Sequence, residues 1–278
     1  MITAEQKQAR KNGVGASDTP IIMGFSNYKT PYQLYRDKLG LDDIEQKETE
    51  QQYWGNRLES IIVEEYSKKN DVRVIYSPPM VHKLDKPYMF ANLDALIPTE
   101  NAVLEVKTVD KFQKHLWGTE GTDIIPMAYL VQVAHQCIVT NAEYGVIACL
   151  IGGNEYKEYR YNRDSELEAM ICEAVDNFWF NHVLKKIDPA SITIDDSRLK
   201  YGNVNPDTII VANDDIIIPI QTINDAKRIK KEQDKIEEDA KMKVFEFMQN
   251  NETLVDQTGK TLVSLNKNVK GSRVFLLK

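Results

Sequence analysis

Apolar positions recur along this chain at two periods, and the switches between them mark out the expected elements. Thr30-Pro31 opens a helix, with Thr as cap and Pro in the first turn. Tyr32, Leu34, Tyr35 and Leu39 line its apolar face, and Gly40 ends it. Glu50–Lys69 has helical spacing through Trp54, Leu58, Ile61, Ile62 and Tyr66. Val72–Tyr76 reads as a strand that Pro78-Pro79 breaks. Tyr88–Ile97 and Ala102–Val109 alternate as two strands, joined by the turn Pro98-Thr-Glu-Asn101. Pro126–Thr140 predicts a helix, Gly145–Ile151 a buried strand, Gly152-Gly153-Asn154 a turn and Glu155–Tyr161 another strand. Leu167–Ile187 predicts a long helix carrying Ile171, Val175, Phe178 and Trp179. Helices and strands in this order predict a mixed α/β core, a sheet flanked by helices.

The ends have a different texture. Arg10 to Asp18 holds two glycines and an Asn and reads as a loop. Thr19-Pro20 then opens a short helix with Ile21, Ile22 and Met23, ended by Gly24. Residues 42–50 are polar and expected on the surface. Residues 1–189 form the expected core and 190–219 a polar connector. Residues 220–278 carry a charged helix and then a hairpin region, Thr253–Asp256, Thr261–Leu265 and Arg273–Leu277. Seven Lys or Arg and seven Asp or Glu fall between Asn224 and Gln249, the mark of a solvated or intersubunit helix.

Composition narrows the classes. With 278 residues, 42% hydrophobic and 28% charged, the chain can build one large core and an appendage. No apolar run is long enough to span a membrane, and the N-terminus has no secretory h-region, so a reducing cytoplasm is expected. Cys137, Cys149 and Cys172 make neither a disulfide framework nor a four-cysteine cluster. His82, His115, His135 and His182 lack metal-ligand spacing and read as structural. A net charge of −7 does not advertise nucleic acid, although local patches and metal ions decide the field at a cleft.

The sharpest feature is Asp94 followed by Glu105-Val106-Lys107. Strand alternation puts Glu105 and Lys107 on one face and turns Leu104 and Val106 to the other. In the preceding strand Asp94 shares a face with Phe90 and Asn92, opposite Met89, Ala91, Leu93, Ala95 and Ile97. A hairpin thus brings two carboxylates and an ammonium together. Two carboxylates suit a hard cation such as Mg²⁺, and a lysine beside them suits phosphodiester hydrolysis. Read alone, the spacing fits a solvated strand face as well. Glu59 lies at the edge of its helix stripe, with Glu65 a rival nearer the centre. Gln132 projects about 120° from the apolar face of its helix, the exposed side on that geometry. Phe112 and Trp117, near Lys111 and Lys114, suit base stacking, with packing the commoner role for Trp117.

Taken together, Arg10 through Asp18, Gly55-x-x-x-Glu59, Asp94, Glu105-x-Lys107 and Gln132 resemble, in order, the YqaJ-like viral recombinases, which include lambda exonuclease. The opening Gly13-Val-Gly-Ala-Ser-Asp18 and Ile21-Ile-Met-Gly-Phe-Ser26 resemble that family's N-terminal signature. The resemblance covers about residues 8–160 and implies a PD-(D/E)XK, restriction-endonuclease-like core. It implies that Asp94, Glu105 and Glu59 serve the metal and that Lys107 and Gln132 serve the water and scissile phosphate. Arg10 and Ser17 then engage a DNA 5′-phosphate. Leu93 stands where the family motif often has Pro, and Gln136 where related nucleases carry an aromatic. The implied function is a Mg²⁺-dependent 5′-to-3′ exonuclease of duplex DNA, with Mn²⁺ as a substitute. Its 3′ tails would serve a single-strand annealing recombinase in phage recombination and repair, and the implied assembly is a homo-oligomer, a trimeric ring in some members. The rivals are a PD-(D/E)XK endonuclease and a non-catalytic DNA-binding scaffold.

Overall fold

The computed structural model describes residues 10–42, 48–203, 205–267, 269 and 271–278; most of the polar stretch 42–50 lies outside them. The chain divides into two units, the first through Val204 and the second from Asn205.

In chain order the first unit contains β1 (Val14–Gly15), α1 (Thr19–Ile22), α2 (Pro31–Leu39), α3 (Glu50–Asn70), β2 (Ile75–Tyr76) and β3 (Val81–Lys83). There follow β4 (Lys86–Ala91), β5 (Ala95–Ile97), β6 (Ala102–Val109), α4 (Met127–Thr140), β7 (Tyr144–Ile151), β8 (Glu155–Asn162), α5 (Ser165–Asp176) and α6 (Ile194–Lys200). The main sheet has the order β2-β5-β6-β7-β8. β6 pairs antiparallel with β5 and parallel with β7, so α4 lies on the crossover between two parallel strands. A second sheet, β1-β4-β3, sets Val14 parallel to Met89 and His82 opposite Phe90.

Each face of the main sheet has its own core. Leu104, Val106, Ala95, Ile97 and Ala148 pack on Ile62, Val63 and Tyr66 of α3. Val103, Val109, Ile147 and Cys149 join a larger core with Val131, Ala134 and Ile138 of α4 and with Ile171 and Val175 of α5. Gly145 lets α4 lie close: a Cβ there would stand 2.5 Å from Val133 Cγ2.

The pattern holds best where a local signal exists. Thr30 caps α2, its hydroxyl accepting from the Gln33 amide at 3.1 Å. Other expectations give way to pairing. The single strand expected over Tyr88–Ile97 breaks at Asn92–Asp94, and its halves enter different sheets. Met89, Ala91 and Leu93 therefore join the larger core while Ala95 and Ile97 face α3, and Phe90 is buried rather than aligned beside Asp94. The loop around Val14 contains a strand, and Val81–Lys83 forms one that the pattern did not predict. On α3, Trp54 and Ile61 are exposed, and Val63 takes the place they were expected to fill. The long helix after β8 widens to π geometry over Asn177–Leu184.

The expected connector contains α6, which is tied down. Asp196 is fully buried and accepts from the Thr30 hydroxyl at 2.7 Å and from the amides of Ile192 and Thr193.

The second unit consists of α7 (Asp214–Met248), β9 (Thr253–Val255), β10 (Thr261–Lys267) and β11 (Arg273–Leu277). The strands form an antiparallel sheet with β10 central, and Val263 and Leu265 pack with Met248. Among the described residues, no helix is long and apolar enough to cross a membrane.

Candidate active site

The site grows from the central strand. On β6, Glu105 and Lys107 project toward the α4 side, between Val103 and Val109. The pairs Ile97↔Ala102 through Ala95↔Leu104 fix the hairpin register, which sets Asp94 opposite Glu105 one step further on. Past the end of β5 the Asp94 side chain turns inward, and Oδ2 accepts the Val106 amide at 2.8 Å. Two carboxylates and a lysine thus meet on a sheet that is otherwise apolar there.

Glu105 is 2% exposed, and its charge is met by donors. Lys107 Nζ and Gln132 Nε2 donate to Oε1, the latter at 2.6 Å, and Gln136 Nε2 donates to Oε2. Lys107 also lies 5.3 Å from the centre of the Tyr129 ring. Burial alone would lower the Lys107 pKa, but the Glu105 and Asp94 carboxylates outweigh it and hold the amine protonated. Asp94 is pushed upward too, which for a carboxyl disfavours the charged form. Burial and then the neighbouring Glu105 charge lift its pKa well above the usual range, against the pull of Lys107.

Gln132, which lies about 120° from the apolar face of its helix, is half-buried and turned to Glu105. Gln136 is wholly buried and makes a contact that the sequence reading did not assign. Its i, i+4 spacing from Gln132 was the available signal.

Glu59 enters the same electrostatic cluster from α3. Burial raises its pKa, a hydrogen bond with the Tyr76 hydroxyl opposes this, and Glu105 adds to the lift. Its rival Glu65 is exposed. Glu59 does not complete a three-carboxylate cage: among the described residues no group of three or more His, Cys, Asp or Glu side chains is arranged to hold a metal ion. The donor chemistry still fits a hard divalent cation. Asp94 and Glu105 face one another with negative charge that Lys107 only partly offsets. Mg²⁺ characteristically uses one or two carboxylates, with waters and substrate oxygens completing the shell.

The N-terminal loop is fastened beside the strand that leads to Asp94. β1 runs parallel to β4, and Gly13 passes so close that a Cβ would stand 2.3 Å from the Tyr88 carbonyl oxygen. Lys38 is the strut of this loop. Its Nζ donates to the Arg10 carbonyl and to Asp18 Oδ2, each at 2.6 Å, and Asp18 also accepts the Gly15 amide. Arg10 is half-buried and Ser17 exposed. Just beyond, Thr19 Oγ1 lies 2.7 Å from Nδ1 of the buried His135 on α4, the helix that carries both glutamines.

Trp117 is packed, 8% exposed, with its ring centre 5.0 Å from that of Tyr159 and 5.5 Å from that of Tyr129. Phe112 is 76% exposed in the turn after β6, with Lys111 over its ring.

Residues 5–143 match the YqaJ-like viral recombinase domain. The uncharacterized protein YqaJ of Bacillus subtilis (strain 168) is 35% identical over 183 residues, covering 65% of this chain and 56% of that protein. The chain therefore matches little more than half the length of this relative. In fold, the alkaline exonuclease LHK-Exo of Laribacter hongkongensis is similar at a TM-score of 0.54 and 18% identity, over 72% of this chain and 97% of that one. A phage-related exonuclease from Haemophilus somnus 129PT is similar at 0.50 and 13%, over 63% and 96%.

Proposed function

The chain belongs to the YqaJ-like viral recombinase family, and on that footing we propose that it is a metal-dependent nuclease that digests linear duplex DNA from its 5′ ends. The 3′ tails left behind serve a single-strand annealing partner in phage recombination within a bacterial cytoplasm. The observation that carries this reading is the meeting of Asp94, Glu105 and Lys107 on one sheet face, with Gln132 on the same carboxylate.

Asp94 and Glu105 would hold Mg²⁺, or Mn²⁺ in its place, with Glu59 adding negative charge to the metal site from α3. The bound ion would acidify a water and stabilise charge on the scissile phosphate. Lys107, kept protonated by its two acidic neighbours, faces the charge that develops on that phosphate. Gln132 fixes the Glu105 carboxylate and stands at the mouth of the buried cluster, within reach of water. Arg10 and Ser17 take the terminal phosphate on a loop that Lys38 holds in shape. A homo-oligomeric ring around the duplex is the assembly this reading favours. With a net charge of −7, the channel lining must draw its positive field from local patches.

The test uses linear duplex labelled at the 5′ or the 3′ end, beside a covalently closed circle, in Mg²⁺ or EDTA, with wild type and Lys107→Ala. Early metal-dependent loss of the 5′ label, an intact circle and an inactive variant are expected. Cutting of the circle would make the protein an endonuclease. No digestion by folded wild type would leave the scaffold reading.

A further inference from the structure

Glu105 is held from two depths. Gln132 sits at the half-buried end of α4, where water and substrate can reach it. Gln136, one turn further, is fully buried, and its Nε2 donates to Glu105 Oε2. No substrate can touch it there. Its own Oε1 is also buried and, among the described residues, has no hydrogen-bond partner. Turning the amide over would not repair this, because it would aim Oε1 at a carboxylate oxygen and leave two acceptors facing one another. Glu105 therefore dictates the orientation of Gln136, and the chain keeps an unsatisfied buried oxygen to maintain it. An apolar residue of the same length would fill the space without that cost.

From this arrangement we propose that Gln136 is a positioning residue that pins the inner oxygen of Glu105 and so sets the carboxylate for divalent-cation binding. The inference rests on the reading of the site as a metal-dependent nuclease. Each carboxylate oxygen has two lone-pair directions, so Oε2, which accepts the Gln136 amide, keeps a second direction for a cation, whereas Oε1 already meets two donors. With Oε2 pinned by Gln136 and Oε1 shared by Lys107 and Gln132, the plane of the group is fixed before any ion arrives. Losing the inner donor frees that plane to rotate. Loss of such an outer-shell partner weakens metal affinity by roughly 10–100-fold.

The test measures Mn²⁺ binding to the full chain without DNA, by electron paramagnetic resonance, for wild type and Gln136→Met. Duplex binding in EDTA serves as the control for fold. The expected result is at least about a 10-fold weaker Mn²⁺ affinity, with duplex binding within about twofold of wild type. Equal Mn²⁺ affinity in the two proteins overturns the inference. Should the variant fail to fold, the Gln136 side-chain amide resonance of wild type is followed instead as Mg²⁺ is added. A shift is expected, and an unmoved signal at saturating Mg²⁺ overturns the inference. Wild type that binds no Mn²⁺ and digests no DNA removes the nuclease reading itself. Wild type that binds and digests, beside a variant with equal affinity, removes only the role of Gln136.

Discussion

The Asp94 carboxylate accepts the backbone amide of Val106, on the strand that carries Glu105. One hydrogen bond thus holds two acids face to face. Burial and the Glu105 charge push the Asp94 pKa well up, so its ionised form is disfavoured in the folded protein relative to the unfolded chain. Above the carboxylate range, this raised folded-state pKa subtracts from stability. Asp94→Asn keeps an oxygen for the Val106 amide and removes the charge. In EDTA at pH 7 the variant is expected to be more stable than wild type, and inactive with metal. Urea melts beside the end-label assay check both. A destabilised variant would contradict the repulsion.

His135 supplies a pH signature away from the carboxylates. Burial lowers its pKa to about 4, against 6.5 when free. The unfolded chain therefore takes up a proton that the folded protein refuses between those values, and stability falls as pH drops from about 6.5 to 4. The full effect is about 3 kcal/mol. Urea melts across this range should show wild type losing that much more stability than His135→Gln. Parallel pH curves for the two would argue against it.

The Lys38–Asp18 pair is expected to matter through the shape of the N-terminal loop. Their side chains are 3% and 13% exposed. Lys38→Met leaves Asp18 charged and nearly buried, at a cost of about 3 kcal/mol, and Lys38→Met with Asp18→Asn should restore part of it. On DNA, Lys38→Met should erode the preference for 5′-phosphorylated over 5′-hydroxyl ends. Competition between the two kinds of end measures this directly.

Asp196 anchors α6 at Thr30. Burial would raise its pKa, but the donors around it, the Thr30 hydroxyl foremost, bring it below the usual value. Its stabilisation is present above the unfolded carboxylate pKa and is lost as pH falls through the lower folded value. Asp196→Ala strands the Thr30 hydroxyl and should cost about 2 kcal/mol at pH 7. Deleting everything after residue 189 should cost at least as much, whereas ending the chain at 203 should not. Thermal melts of the three proteins discriminate these outcomes.

Much of the fold and of the candidate site was legible because its signals are local. Glu105-x-Lys107 follows from a period of two, and the cap of α2 from Thr30, Pro31 and Gln33. What stayed hidden depends on distant partners. The break at Asn92–Asp94 arises because β4 pairs with β1 and β3 while β5 pairs with β6 and β2, a choice that alternation cannot express. For Gln132 the helix projection left an exposed position and a hydrogen-bonding role equally open, because it takes the sheet beneath to be apolar, and this sheet carries Glu105. Trp54 and Ile61 mislead in the opposite sense: periodicity counts every apolar residue as buried, yet these two are 57% and 59% exposed.

The parallel ladder of β6 and β7 runs unbroken from Ala102↔Tyr144 to Val109↔Ile151. A slip of one residue would turn Glu105 and Lys107 into the greasy layer beneath α3 and present Leu104 and Val106 to the glutamines. On the proposed nuclease reading, chains that slipped register would be blanks rather than half-competent enzymes. Specific activity, per mole of protein, becomes a gauge of how many molecules in a preparation have reached the native register.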